Sequence, residues 1–215
     1  MPILLIRHGE TPGNATRVVQ TPETPLSERG QLQAARLARR LAAVGVERIV
    51  SSDLSRARMT AERTAEAAGA PLELEPLLQE RNFGILRGIA YSELDRDPFA
   101  ADYEPPRGES WPAFHERVDR AWQLVCRTAS ETPGTLAVVT HGLVCHSIVS
   151  RWVELPEPLR PGARSAAGFG DGILKFGNTS LTELEGPAPW RVVLLACTRH
   201  LDDEAPDDPG GVSGL

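Results

Sequence analysis

Positive charge, long apolar runs and paired cysteines are all in short supply in this chain, and each shortage removes a class of function. Lys and Arg total 23 against 29 Asp and Glu, for a formal net charge of −6. A domain that grips nucleic acid needs a basic surface, so no nucleic-acid partner is expected, and any anion site has to be local. No apolar run approaches the ~20 residues of a membrane span, so no membrane partner is expected. The opening MPILLI is short and lacks a basic n-region, so it does not read as a signal peptide, and a cytoplasmic location is expected. Cys126, Cys145 and Cys197 are odd in number and scattered, with no C-x-x-C pair. That suits free thiols in a reducing compartment better than a disulfide framework or a zinc site. No carboxylate–histidine cluster has metal-ligand spacing, so no metal and no other cofactor is expected. Internal repeats are absent. A length of 215 residues with 41% apolar content allows one sizeable α/β domain or two small ones.

What is present alternates. Residues 3 to 6 are a short apolar run that predicts a buried strand, followed by small and polar residues around Pro12, Gly13, Asn14, Pro22 and Pro25 that predict a loop. Ser27 can cap a helix with Ala34, Leu37, Ala38 and Leu41 inward, and Gly45 can stop it. A strand is expected over 47–52. The next helix is expected to take Ser52 or Asp53 as cap, to turn Leu54, Ala57, Ala61, Thr64, Ala65 and Ala68 inward, and to end at Gly69. Residues 71–111 carry Pro, Gly and charge with little periodicity. A helix over about 112–130 presents Phe114, Val118, Ala121, Trp122 and Val125 on one face. A strand at 135–140 and a helix from 142 to about 154 come next, then a loop-like stretch over 156–177. TSLTELE and WRVVLLAC read as a hairpin, whose apolar final strand suits a homodimer contact. The acidic, Pro- and Gly-rich residues 202–215 are expected to be a disordered tail to a single domain over 1–201.

Strand–helix alternation predicts an α/β fold, a mostly parallel central sheet with helices on both faces. Ligands of such sheets bind beyond the carboxyl ends of the strands. Two strand ends stand out: Ile6 leads into Arg7-His8-Gly9, and Val139-Thr140 leads into His141-Gly142. Two histidines, each followed by glycine, can meet over one crevice. A nucleophilic histidine needs its second nitrogen bound to an acceptor that fixes the tautomer, and a backbone carbonyl near Gly9 can do this. A phosphoryl group carries ~1.5 to 2 negative charges and is met best by the paired donors of arginine.

LLIRHGET, PLSERGQLQA, SSDLSRARMTA, LLQERNFG, GES, VVTHG and GNTSL follow one another in order over roughly residues 3 to 195. Together they resemble the histidine phosphatase superfamily, the phosphoglycerate mutase-like proteins. The resemblance implies a three-layer α/β/α sandwich and a phosphohistidine formed on His8, with Arg7, Arg56 and His141 clamping the phosphate oxygens. Arg56 occupies the arginine position of the S-x-L-x-R-A segment, in the first turn of its helix, where anions are favoured. His141 in cationic form would strengthen the clamp, whereas His115, His146 and His200 lack such a setting. Glu80 matches the glutamate of L-x-E-x-x-F-G and is the expected proton donor, with Glu109 as its rival. Gly9 is expected to let backbone approach the phosphate closely. Asn14, Gln20, Thr21 and Gly142 complete the expected phosphate and substrate contacts.

Three departures from the family pattern concern pocket shape: Thr21 where a glycine is common, no tryptophan in FGILRG, and Leu143 in place of a small residue. The resemblance implies a metal-independent phosphatase acting on a small phosphorylated metabolite. Cofactor-dependent phosphoglycerate mutase and a phosphate-binding protein without turnover are the alternatives. Mutases of the family carry a longer stretch between acid and second histidine, whereas here it runs only from 80 to 141.

Overall fold

Alternation within single strands decides the layering. The computed structural model describes residues 1–155 and 174–202. In β1 (Pro2–Arg7), Ile3 and Leu5 face one way and Leu4 and Ile6 the other, and all four are buried. A strand apolar on both faces has to be covered on both. One cover is α2 (Glu28–Val44) and α3 (Ser55–Ala68), whose Leu37, Leu41, Ala57 and Ala61 meet Leu4 and Ile6. The other is α4 (Trp111–Glu131) and α5 (Gly142–Trp152), whose Phe114, Trp122, Leu143 and Ile148 meet Ile3 and Leu5. The result is the expected three-layer α/β/α sandwich.

The sheet adds β2 (Val46–Ser51), β3 (Leu72–Leu74), β4 (Thr135–Thr140), β5 (Val153–Glu154), β6 (Leu181–Glu185) and β7 (Trp190–Cys197). Its order is β3-β2-β4-β1-β6-β7-β5. β3–β2, β2–β4, β4–β1 and β7–β5 are parallel, and only β6 runs antiparallel to its neighbours. The expected hairpin is β6–β7.

Four local expectations change. The stretch after β1 contains a short helix, α1 (Pro12–Thr16), capped by Thr11 with Asn14 reaching back to the Thr11 backbone and Pro12 in its first turn. Neither Ser52 nor Asp53 is the cap of α3; Leu54 is, with no side-chain hydrogen bond, because Ser52 is turned toward His141. β3 and β5 are short strands, mostly half-buried or exposed, so pairing defines them rather than an apolar pattern. β5 pairs with the start of β7, so the final strand is not an open edge there. Most of the stretch expected as loop and nearly all of the expected tail lie outside the described residues. No described helix is long and apolar enough to cross a membrane.

Candidate active site

Strand register sets the floor of the cleft. Arg7 of β1 pairs with Thr140 of β4, so His8 and His141 leave neighbouring parallel strands side by side. Their rings lie 5.1 Å apart, centroid to centroid. Ser52 leaves β2 at the same level and its Oγ lies 2.9 Å from His141 Nε2. His8, His141, Arg7 and Arg56 are all at most 5% exposed.

His8 is held from every side. Its N–H donates to Thr140 O at 2.9 Å, and its carbonyl accepts from Thr179 N at 3.1 Å and Asn178 Nδ2 at 3.2 Å. His8 Nδ1 lies 2.7 Å from Gly9 O, a carbonyl that can only accept, so Nδ1 carries the proton and Nε2 the lone pair. Burial, with Arg56 and Arg7 nearby, drives its pKa well below the ordinary histidine value against the opposing pull of the Gly9 carbonyl, so the ring is neutral near pH 7.

The arginines are positioned through backbone carbonyls. Arg7 Nη1 donates to Phe176 O at 2.6 Å and Arg56 Nη1 to Thr21 O at 3.1 Å. Arg56 Nε and His141 Nδ1 are buried with no acceptor among the described residues. Burial lowers Arg56 to about 10, which leaves it charged at neutral pH. His141 is likewise driven down by burial, then by Arg56, His8 and Arg7. In this structure it is therefore neutral, not the cation expected from the sequence.

Glu80 sits on the segment that covers the floor. Its Oε1 accepts from Arg81 N at 3.0 Å and its Oε2 from Leu143 N, in the first turn of α5, at 3.2 Å. Burial nevertheless raises its pKa, outweighing those two bonds and the charges of Arg56 and Arg7. The rival, Glu109, is spoken for. Arg117 grips both of its oxygens at 2.7 Å, and Asn82 N donates to Oε2 at 2.8 Å. Burial alone would raise Glu109, but Arg117 and the Asn82 amide hold it below the usual carboxylate range.

The cleft is lined by His8, Arg56 and Glu80 together with Val19, Gln20, Thr21, Pro22, Leu54, Arg81, Phe83, Arg87 and Tyr91. Gln20 and Thr21 are thus in its wall. Gln20 Oε1 lies 2.9 Å from Thr11 Oγ1, and the Thr21 hydroxyl pairs with Thr24 while its carbonyl holds Arg56. Asn14 is buried at N3 of α1, its Oδ1 accepting from Thr11 N and Asn178 Nδ2. Gly142 opens α5 directly after His141. Gly9 has a packing task that the sequence did not show. Its N–H is spent on Thr60 Oγ1 at 3.1 Å, and a Cβ on it would meet Gly30 O at 2.7 Å, so glycine is needed for β1 to approach α2.

Several contributors escaped the sequence reading. Ser52 reads as an ordinary helix-start residue and Thr60 as an ordinary helix-interior residue in sequence, and Asn178 and Thr179 were visible only as part of a motif. Glu10, without a role in sequence, ties the β1 loop to α2 through Ser27 and a 2.9 Å ion pair with Arg29. Arg87 and Tyr91 had no signal in an aperiodic stretch.

Known proteins resemble this chain in sequence and fold. A family model described as the histidine phosphatase superfamily (branch 1) matches residues 3–165. The probable phosphoglycerate mutase GpmB of Escherichia coli O1:K1 is 33% identical over 222 residues, covering 96% of this chain and 97% of its own. A mycobacterial glucosyl-3-phosphoglycerate phosphatase, solved with VO3, superposes with a TM-score of 0.73 at 26% identity, over 90% of this chain and 97% of that one. The alpha-ribazole phosphatase of Shigella flexneri superposes with a TM-score of 0.76 over 92% of this chain and 97% of that one; at 23% identity it speaks for the fold alone.

Proposed function

We propose that this chain, which belongs to the histidine phosphatase superfamily, hydrolyses small phosphomonoesters without a metal through a phosphohistidine on His8. The observation that carries the reading is the bond from His8 Nδ1 to Gly9 O, which leaves a neutral ring with its Nε2 lone pair beside two buried arginines. In the first step Nε2 attacks phosphorus, and the ester oxygen leaves with the proton of Glu80. In the second, water attacks phosphorus, gives a proton to Glu80, and releases inorganic phosphate and neutral His8. Arg7 and Arg56 supply the positive charge that phosphoryl transfer requires. If Ser52 Oγ–H donates to His141 Nε2, the proton sits on Nδ1, giving the phosphate a further donor that has no acceptor among the described residues. Glu80 suits the proton donor because burial favours its protonated form, whereas Glu109 is held as a carboxylate by Arg117.

The test is to react the protein with a labelled phosphomonoester, quench in alkali and locate acid-labile phosphate. Label on His8, and loss of turnover of about 10⁴-fold or more in His8→Ala, are expected. Label elsewhere, or activity restored only by a divalent ion after EDTA, overturns the reading. Vanadate should compete with substrate, as a mimic of five-coordinate phosphorus; a phosphatase neighbour has been solved with VO3.

A mutase reading is favoured by one finding, the probable phosphoglycerate mutase relative at 33% identity. Against it stands the short stretch from Glu80 to His141, which leaves less chain to keep water from the phosphohistidine. Supplying 3-phosphoglycerate with catalytic 2,3-bisphosphoglycerate separates the two. Phosphate release is expected, and rapid isomerisation without it would establish the mutase.

A further inference from the structure

Three arginines line the cleft, and they are not equivalent. Arg56 belongs to the floor. Arg81 is consumed: its Nε, Nη1 and Nη2 donate to the carbonyls of Glu109, Pro98 and Tyr103 at 3.0, 2.9 and 2.6 Å, and its guanidinium lies 3.7 Å over the Trp111 ring. Arg87 is half-buried in the same wall, and its guanidinium has no hydrogen bond or ion pair with any described residue. Its charge reaches the floor, adding to the electrostatic load on Arg56.

The segment carrying Arg87 is built into place. Val18 and Ala90 form an antiparallel bridge, and around it Gly88 N donates to Val19 O at 2.7 Å, Val19 N to Ile89 O at 2.9 Å and Tyr91 N to Arg17 O at 2.9 Å. This short ladder ties the outer wall to the loop after α1. It places Arg87 and Tyr91 in the same lining as Gln20. Among the described residues, the only carboxylate in that lining is Glu80, which is bonded to the Arg81 and Leu143 amides.

We infer that Arg87 forms a second anion subsite, so the preferred substrates are phosphomonoesters carrying another anionic group, a carboxylate or a second phosphate. This rests on the phosphatase reading above and deepens it. The phosphoryl group engages Arg7 and Arg56. A neutral remainder of the substrate would cover Arg87 without offering an acceptor, stripping water from a charge that then has no partner. An anionic remainder meets the guanidinium fork directly.

The experiment is a set of matched binding titrations on the non-hydrolysing His8→Ala protein. 3-Phosphoglycerate is compared with glycerol 3-phosphate, and fructose 1,6-bisphosphate with fructose 6-phosphate, which also separates a carboxylate from a second phosphate. A charge-assisted hydrogen bond implies that at least one probe carrying the second anionic group binds about 10- to 100-fold tighter than its matched partner. Arg87→Gln should collapse that ratio toward one, and Arg87→Lys should keep part of it. A ratio near one in both pairs overturns the subsite, as does a ratio that survives Arg87→Gln. Failure of the phosphatase reading is read separately, as absence of phosphohistidine in the parent protein, and leaves the binding ratios measurable.

Discussion

The floor of the cleft hangs from the ends of three adjacent parallel strands, whereas its outer wall, residues 75–110, hangs largely from two arginine side chains. On the floor, Arg7, His8, Ser52 and His141 follow directly from β1, β2 and β4, whose ladders set their relative heights. In the wall, regular structure is limited to single 3₁₀ turns and the short ladder around the Val18–Ala90 bridge. Arg81 collects the carbonyls of Pro98, Tyr103 and Glu109. Arg117 of α4 collects those of Leu77, Gln79 and Glu80 and also grips the Glu109 carboxylate. A guanidinium can satisfy several carbonyls at once, so it substitutes for a ladder over the rest of the wall, where the chain has none. The price is concentration: many strand bonds share the load on the floor, and a few donors carry it in the wall.

If floor and wall differ in this way, their two glutamates will separate. Glu80→Gln is expected to slow hydrolysis of an alkyl phosphate by about 10²–10⁴-fold, and far less for p-nitrophenyl phosphate, whose leaving group needs no proton. Glu109→Gln should instead lower stability by about 1–3 kcal/mol, because it weakens the pairing of a largely buried Arg117. Steady-state kinetics on both esters and urea unfolding of both variants check the pair. The reverse pattern would make Glu109 the acid.

A smaller effect is expected from Arg81→Lys. It keeps the charge but loses the planar fork, so two of three carbonyls lose their donor, at a cost of about 2 kcal/mol. Urea unfolding measures the loss, and hydrogen exchange should show it concentrated in residues 75–110 rather than in β1 and β4. Uniform loosening would erase the distinction between the two regions.

The smallest effect is a split in pH dependence. His8 and His141 are lowered by burial, and His115 and His200 are pushed down to about 4, so the folded state favours neutral rings. The unfolded chain takes up protons below about pH 6.5, so stability from these groups is full above that pH and is lost as pH falls toward the lowered values. Glu109 behaves as a lowered carboxylate, and its contribution is lost only as pH falls below the ordinary glutamate value of 4.5. Glu80, raised by burial, acts in the opposite sense and favours the folded state where it keeps its proton. Thermal unfolding across pH 4 to 8 should therefore show a decline beginning near 6.5, and Glu109→Gln should flatten only its most acidic part.

What the sequence determined by itself is local or periodic. Two-faced apolar runs specified buried strands, and helical spacing in 28–44, 55–68 and 111–131 specified which faces turn inward. The Arg-His-Gly and His-Gly strand ends marked the floor. The α1 stretch reads as loop, although Thr11, Pro12 and Asn14 carry its signal as a capping box around a first-turn proline. Only the tertiary structure decided the rest. Glu80 differs from Glu109 because Arg117, on a helix distant in sequence, neutralises one and not the other. Gly9 is glycine because Gly30 lies against it, and His141 is neutral because burial and two arginines surround it. Arg87 is exceptional only because the described groups around it in space leave its guanidinium without a hydrogen bond or ion pair. Charge state, spare donors and close approach depend on neighbours brought together by folding, and no spacing along the chain encodes them.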